Sequence, residues 1–146
     1  MFRKIVSRAK RFFAGSSAGM GEWSAGMHPD APVLILSTFP EEPRAEEVIR
    51  LLLAEGVIAC GSLLPGVRSM YLWKGAVEES REVQVVLKTT SGVRDRCMER
   101  LAALHPYEVP EIVAVDPSAV AGPYAAWVGD ALRCPGIGNA SGSENL

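Results

Sequence analysis

The chain has 146 residues, of which 48% are hydrophobic and 22% charged, with 14 glycines and 10 prolines. That suits one folded domain with a sizeable core and excludes a disordered or collagen-like chain. Fifteen basic against seventeen acidic residues give a net charge of −2, so the whole-molecule field does not attract polyanions and no nucleic-acid partner is expected.

Residues 1–32 differ from the rest. Five basic residues (Arg3, Lys4, Arg8, Lys10, Arg11) precede the first acid, Glu22, and this segment carries +3 against −5 for residues 33–146. The stretch from Phe12 to Pro32 is rich in Gly and Ser and reads as a linker. No apolar run after Arg11 is long enough for a secretory signal, and none in the chain reaches the ~18–20 residues that span a bilayer. The head remains compatible with an organelle address, with a basic amphipathic helix on an acidic membrane, or with a solvated tail.

From residue 33 the chain alternates strands and helices. Val33–Leu36 is a strand apolar at consecutive positions, as expected when both faces are covered; Phe39–Pro43 stops it. A helix over Arg44–Glu55 follows, with Ala45, Val48, Ile49, Leu52 and Leu53 on one side and Gly56 placed to cap its end. Val57–Trp73 reads as a strand with a bulge or bend at Pro65–Gly66, and Lys74–Gly75 turns the chain. The return strand, Val77–Thr90, turns Val83, Val85 and Leu87 inward. Ser91 is the expected N-cap of a helix running to about His105, whose stripe is Val93, Cys97, Leu101 and Leu104; Pro106 ends it. Glu111–Val115 is the last strand. Gly122–Arg133 is the last helix, with Tyr124, Trp127, Val128 and Leu132 expected inward. Residues 134–146 form a Gly/Ser-rich tail.

The order βαββαβα predicts an α+β domain over residues 33–133: a ferredoxin-like split βαβ sandwich with a long central hairpin and a C-terminal helix. Its two central strands are too long for it. Seventeen residues from Val57 to Trp73 extend roughly 50 Å, against a diameter of about 35 Å for a core of some 100 residues. The hairpin overhangs and leaves Val67, Met70, Tyr71, Leu72 and Trp73 uncovered, unless it folds back over its own sheet. Identical copies would cover it, and a closed ring such as a homotrimer satisfies a repeated head-to-tail contact.

Few residues offer chemistry. The histidines are His28, in the linker, and His105, at a helix end where it caps carbonyls or serves as a ligand. Three cysteines, Cys60, Cys97 and Cys134, contain no C-x-x-C pair, so neither a disulfide framework nor a zinc ribbon is specified, and a reducing compartment, the cytoplasm, fits. Cys97 and Cys134 read as core and exposed tail. Cys60 is a small core residue or a metal ligand, and a Cys60–His105 pair is the material for a thiol enzyme. Lys88, Glu111, Tyr107 and Trp73 are candidates to line a cleft, with Lys88 supplying charge and the aromatics the walls.

Four stretches, IACGSLLPG over 58–66, MYLWKG over 70–75, VQVVLKT over 83–89 and HPYEVPE over 105–111, together resemble the signatures of the CutA family of divalent-cation tolerance proteins, over about residues 33–133. The resemblance implies a ferredoxin-like subunit in a tight homotrimer, similar in architecture to PII signalling proteins. It implies a non-enzymatic role in tolerance of copper and other divalent cations, with Cu²⁺ or another such cation as a ligand not required for folding. The ligands proposed in the family are a cysteine ending the first strand and adjacent histidines before Pro-Tyr. Here these positions are Ser37 and Leu104–His105, leaving His105 as the retained ligand and Cys60 as a second donor. The alternative is a PII-like module that holds a small anion or an unknown partner protein in an intersubunit cleft around Trp73, Lys88, Tyr107 and Glu111.

Overall fold

The computed structural model describes residues 28–133. The basic head, most of the linker and the tail with Cys134 lie outside them.

The elements run β1 (Pro32–Phe39), α1 (Glu42–Ala54), β2 (Cys60–Trp73), β3 (Ala76–Thr90), α2 (Arg94–Leu104), β4 (Val113–Val115) and α3 (Gly122–Arg133). The sheet order is β2-β3-β1-β4 with antiparallel neighbours throughout. This is the ferredoxin-like arrangement, in which β3 inserts between the two strands joined through α1. Val33, Ile35 and Phe39 of β1 and Val83, Val85 and Leu87 of β3 share a core with Ala45, Val48, Ile49 and Leu52 of α1 and Cys97 and Leu101 of α2. Helix α3 lies over the opposite face. Its buried Val128 is not part of that core, and its Tyr124 neighbours Cys60 electrostatically. Cys60 pairs with Lys88, one position out of step with the inward Leu87.

Local signals explain most boundaries. Pro43 sits in the first turn of α1, where its missing N–H costs nothing. Gly56 takes φ 67° and donates to Leu53 O, while the Val57 N–H reaches Leu52 O, closing the helix as a left-handed C-terminal residue does. Between β2 and β3, Lys74 (φ 47°) and Gly75 (φ 79°) both lie in the left-handed region, as a two-residue I′ hairpin turn requires. The pairing steps from Leu64↔Gln84 to Val67↔Glu82. One extra residue is therefore accommodated at Pro65–Gly66, with Gly66 at φ 74°, and the expected bulge is present.

Several expectations need correction. Helix α1 begins at Glu42 instead of Arg44, because proline is tolerated in a first turn. Strand β2 begins at Cys60; Val57–Ala59 approaches it through the Ala59 N–H bonded to Lys88 O and the Thr89 hydroxyl donating to Val57 O. Ser91 does not cap α2. A turn carries Val93 N–H to Thr90 O before the helix starts, and the Ser91 hydroxyl donates instead to His28 O. Strand β4 is only three residues long, with Glu111 outside it. On α3, Tyr124 and Trp127 are exposed and stack on each other, centroids 5.8 Å apart, while Val128 and Gly129 are buried. Residues 28–32 join the body: Pro32 opens β1, the Ser91 N–H bonds Ala31 O, and Arg133 pairs with Asp30.

The hairpin does overhang. Fourteen residues of β2 have a contour of roughly 46 Å. Pairing continues without a break from Val67 to Trp73, while Met70, Leu72 and Val77 are 67%, 78% and 73% exposed. The ribbon does not fold back over its own sheet.

Candidate functional site

The segment after α2 is held at both ends. Pro106 prevents a further turn, and the Arg44 guanidinium of α1 donates to Leu104 O at 2.7 Å, satisfying a carbonyl that the helix end leaves open. His105 then turns to extended backbone and lays its ring against Phe39, centroids 4.4 Å apart. It is 2% exposed. Its Nδ1 accepts the Tyr107 N–H at 3.0 Å, so the proton of the neutral ring sits on Nε2, which lies 2.9 Å from Thr38 O and donates to it.

The next residue in this chain of contacts is Tyr107. Its phenol donates to Glu82 Oε1 at 2.8 Å, and both side chains are buried. Burial, and then the hydrogen bond and the charge of Glu82, push the Tyr107 phenol well above its ordinary value. Glu82 is opposite Val67, directly beyond the bulge. The HPY segment thus reaches from the end of β1 to the base of the overhanging hairpin. Nearby, Gln84 Nε2 donates to Ser37 O at 2.9 Å, whereas the buried Ser37 Oγ and Thr38 Oγ1 have no hydrogen-bond partner among the described residues.

A second polar group lies farther along the sheet. The Lys88 ammonium bonds the Ser62 hydroxyl and stands 3.7 Å from Cys60 Sγ. Lys88 and Gln84 are four positions apart on β3, about 13 Å. Gln84 pairs with Thr38, which His105 touches, and Lys88 pairs with Cys60. Cys60 and His105 therefore belong to different groups, and no thiol–imidazole pair forms. Cys97 is sealed in the core, where burial raises its thiol pKa to about 12.

The four cleft candidates are not gathered within one chain. Trp73 is at the hairpin tip, with Lys74 Nζ 5.9 Å above its ring. Lys88 is at the other end of β3, Tyr107 is buried against Glu82, and Glu111 is exposed ahead of β4. A cleft using all four needs more than one copy. Sequence reasoning missed Glu82, Ser62 and Phe39 as partners. Register links them: the alternation through Val83, Val85 and Leu87 puts Glu82 and Lys88 on the other face, but their neighbours follow only once the bulge is placed.

The donor set does not fit a preformed copper centre. A hydroxyl stands at Ser37, where thiolate would suit copper. Both ring nitrogens of His105 are committed to the backbone, and the Cys60 thiol faces an ammonium. Among the described residues no group of three or more His, Cys, Asp or Glu side chains is placed to hold a metal.

Comparison with known proteins gives a consistent result. A family model described as CutA1 divalent ion tolerance protein matches residues 33–131. The divalent-cation tolerance protein CutA of Escherichia coli is 37% identical over 103 residues, covering 70% of this chain and 92% of that protein. Among solved structures, CutA from Xylella fastidiosa aligns with a TM-score of 0.68 at 38% identity, covering 70% of this chain and 98% of that one. CutA1 from Pyrococcus horikoshii aligns at 0.64 and 37% identity, covering 68% and 96%.

Proposed function

The chain belongs to the CutA1 divalent ion tolerance family, and from that premise we propose that it acts as a non-enzymatic homotrimer in tolerance of divalent cations, copper among them. The observation that carries this reading is the overhanging hairpin. Met70, Leu72 and Val77 stand exposed on a two-stranded ribbon, which is marginal in water unless another surface covers it. Identical copies supply that surface symmetrically. The cation is bound weakly and without a preformed cage, consistent with the donor set at Ser37, His105 and Cys60. The protein works in a reducing compartment such as the cytoplasm.

The test couples assembly to tolerance. In cells lacking the protein and grown in raised copper, the wild-type chain restores growth, and Leu72→Asp with Val77→Asp does not. Full restoration by that double variant contradicts the reading.

A second reading is favoured by Lys88. Its ammonium is half-buried against Ser62 and Cys60, and among the described residues no carboxylate pairs with it. A small anion supplies the missing charge, as in a PII-like module, with Trp73 and Glu111 contributed by more than one copy and Tyr107, buried against Glu82, behind the cleft. Thermal stabilisation by a metabolite anion that is lost in Lys88→Ala supports it; no shift across a panel of such anions removes it.

A further inference from the structure

We propose that Cys60 and Lys88 form an oxidative cross-linking site, in which hydrogen peroxide converts the Cys60 thiol to a sulfenic acid and the Lys88 amine closes it to a reversible S–N bond. The modification joins two side chains of the same chain. It rests on neither reading of the function, since it needs no bound cation and no anion.

Strand register and one hydroxyl bring the two groups together. Cys60 and Lys88 are direct partners between β2 and β3, which sets their Cβ atoms roughly 5 Å apart on one face of the sheet. The Ala59 N–H, bonded to Lys88 O at 2.8 Å, pins the start of β2 at this point. The Ser62 hydroxyl, two positions along the same face, binds the Lys88 ammonium, which ends 3.7 Å from Cys60 Sγ. A thiol sulfur is a weak acceptor, and among the described residues no carboxylate pairs with this cation. The nitrogen is therefore held beside the sulfur without a salt bridge to draw it away. Both residues are half-buried, whereas Cys97 is sealed in the core with its thiol pushed up to about 12, so oxidation is directed to Cys60.

The steps balance. The Cys60 thiol and one hydrogen peroxide give the sulfenic acid and one water, two electrons passing from sulfur to peroxide. The Lys88 nitrogen cedes a proton to solvent and attacks the sulfur. The S–O bond breaks as the S–N bond forms, and the departing hydroxide takes a second proton from nitrogen and leaves as water. Counted from thiol and neutral amine, the protein loses two hydrogens and the peroxide becomes two waters. An amine already positioned at the sulfur competes with attack by a second peroxide, which would carry Cys60 on to sulfinic acid. Two equivalents of an external thiol reverse the reaction: the first attacks Cys60 Sγ and releases the amine, and the second resolves the mixed disulfide. The cross-link removes the charge of Lys88 and ties β2 to β3 covalently.

The test treats the full-length chain carrying Cys134→Ser, so that Cys60 and Cys97 are its only thiols, with a modest excess of hydrogen peroxide. The intact mass is expected to fall by about 2 Da. In a tryptic digest, cleavage after Lys88 is blocked and residues 51–68 are joined to residues 82–94; dithiothreitol restores both the mass and the cleavage. Lys88→Arg keeps the charge, but its guanidinium stays protonated and does not attack sulfur. That variant is expected to give a sulfenic acid at Cys60 that dimedone traps, with no loss of mass, and Cys60→Ser is expected to give no joined peptide. A Cys60 left unmodified, or carried to sulfinic acid while trypsin still cuts after Lys88, overturns the proposal. So does a 2 Da loss that persists in Lys88→Arg, which places the new bond elsewhere, and so does a Cys60 disulfide between copies, seen as a doubled mass in denaturing, non-reducing electrophoresis.

Discussion

The Tyr107 phenol donates a 2.8 Å hydrogen bond to Glu82 Oε1, joining the segment after α2 to the base of the hairpin, with 2% and 3% of the two residues exposed. Tyr107→Phe removes the donor and leaves a buried carboxyl group one hydrogen bond short, a loss of about 1–3 kcal/mol in urea unfolding. The pair also sets an alkaline limit. Burial first, and then Glu82, raise the folded-state pKa of Tyr107 above the ordinary 10.0. The unfolded chain therefore releases this proton before the folded chain does. Stability from this group is complete below about pH 10 and declines as pH rises beyond it. The decline is expected to be shallower in Tyr107→Phe; an identical slope in the two proteins contradicts the assignment.

Gly61 has no room for a side chain. A Cβ there would lie 2.8 Å from Ile49 Cγ2 of α1, so Gly61→Ala forces the helix and strand apart and costs about 1–3 kcal/mol. Ile49→Val alone loses a methylene, but in the double variant it relieves part of the clash. A thermodynamic cycle by chemical denaturation is expected to give a favourable coupling between the two substitutions.

Arg100 of α2 grips Glu55 through two 2.6 Å hydrogen bonds. The guanidinium bond holds the Glu55 carboxyl below its ordinary 4.5, against the opposing effect of burial. The contribution is present above about pH 4.5 and is lost as acid protonates the folded-state carboxylate. Because the arginine is 40% exposed, solvent screens the pair, and Arg100→Ala is expected to cost little stability at neutral pH. Thermal melts of the two proteins are expected to converge as pH falls through that range.

His105→Ala tests the role of the imidazole. With both nitrogens bonded to backbone groups and the ring against Phe39, the variant is destabilised by about 1–3 kcal/mol, and its Cu²⁺ isotherm in titration calorimetry matches that of the wild type. Loss of a defined copper site in a folded His105→Ala protein would instead make the histidine a ligand.

Much of the fold was legible because its signals are local. Gly56 ends α1, Lys74–Gly75 turns the hairpin, and Pro65–Gly66 marks the bulge, each through backbone geometry that the residue type dictates. Ser91 was misleading for the same reason: a capping residue suits several turns, and here Pro29 and Ala31 occupy the backbone of the Ser91–Gly92 turn. Tyr124 and Trp127 satisfy a helical stripe, yet α3 covers the sheet with Val128 and Gly129, and no periodicity distinguishes those outcomes. The candidate site was the least legible. His105 and Glu82 were separated by 22 intervening positions, and their link through Tyr107 depends on which strand lies beside β1 and where the bulge falls.

The central claim is that other copies of the same chain complete the hairpin, and native mass measurement at micromolar concentration tests it most directly. Three chains of 15.7 kDa give a particle of about 47 kDa, which Leu72→Asp with Val77→Asp is expected to break into smaller species. A wild-type particle of about 16 kDa, with the hairpin still protease-resistant, would contradict the account.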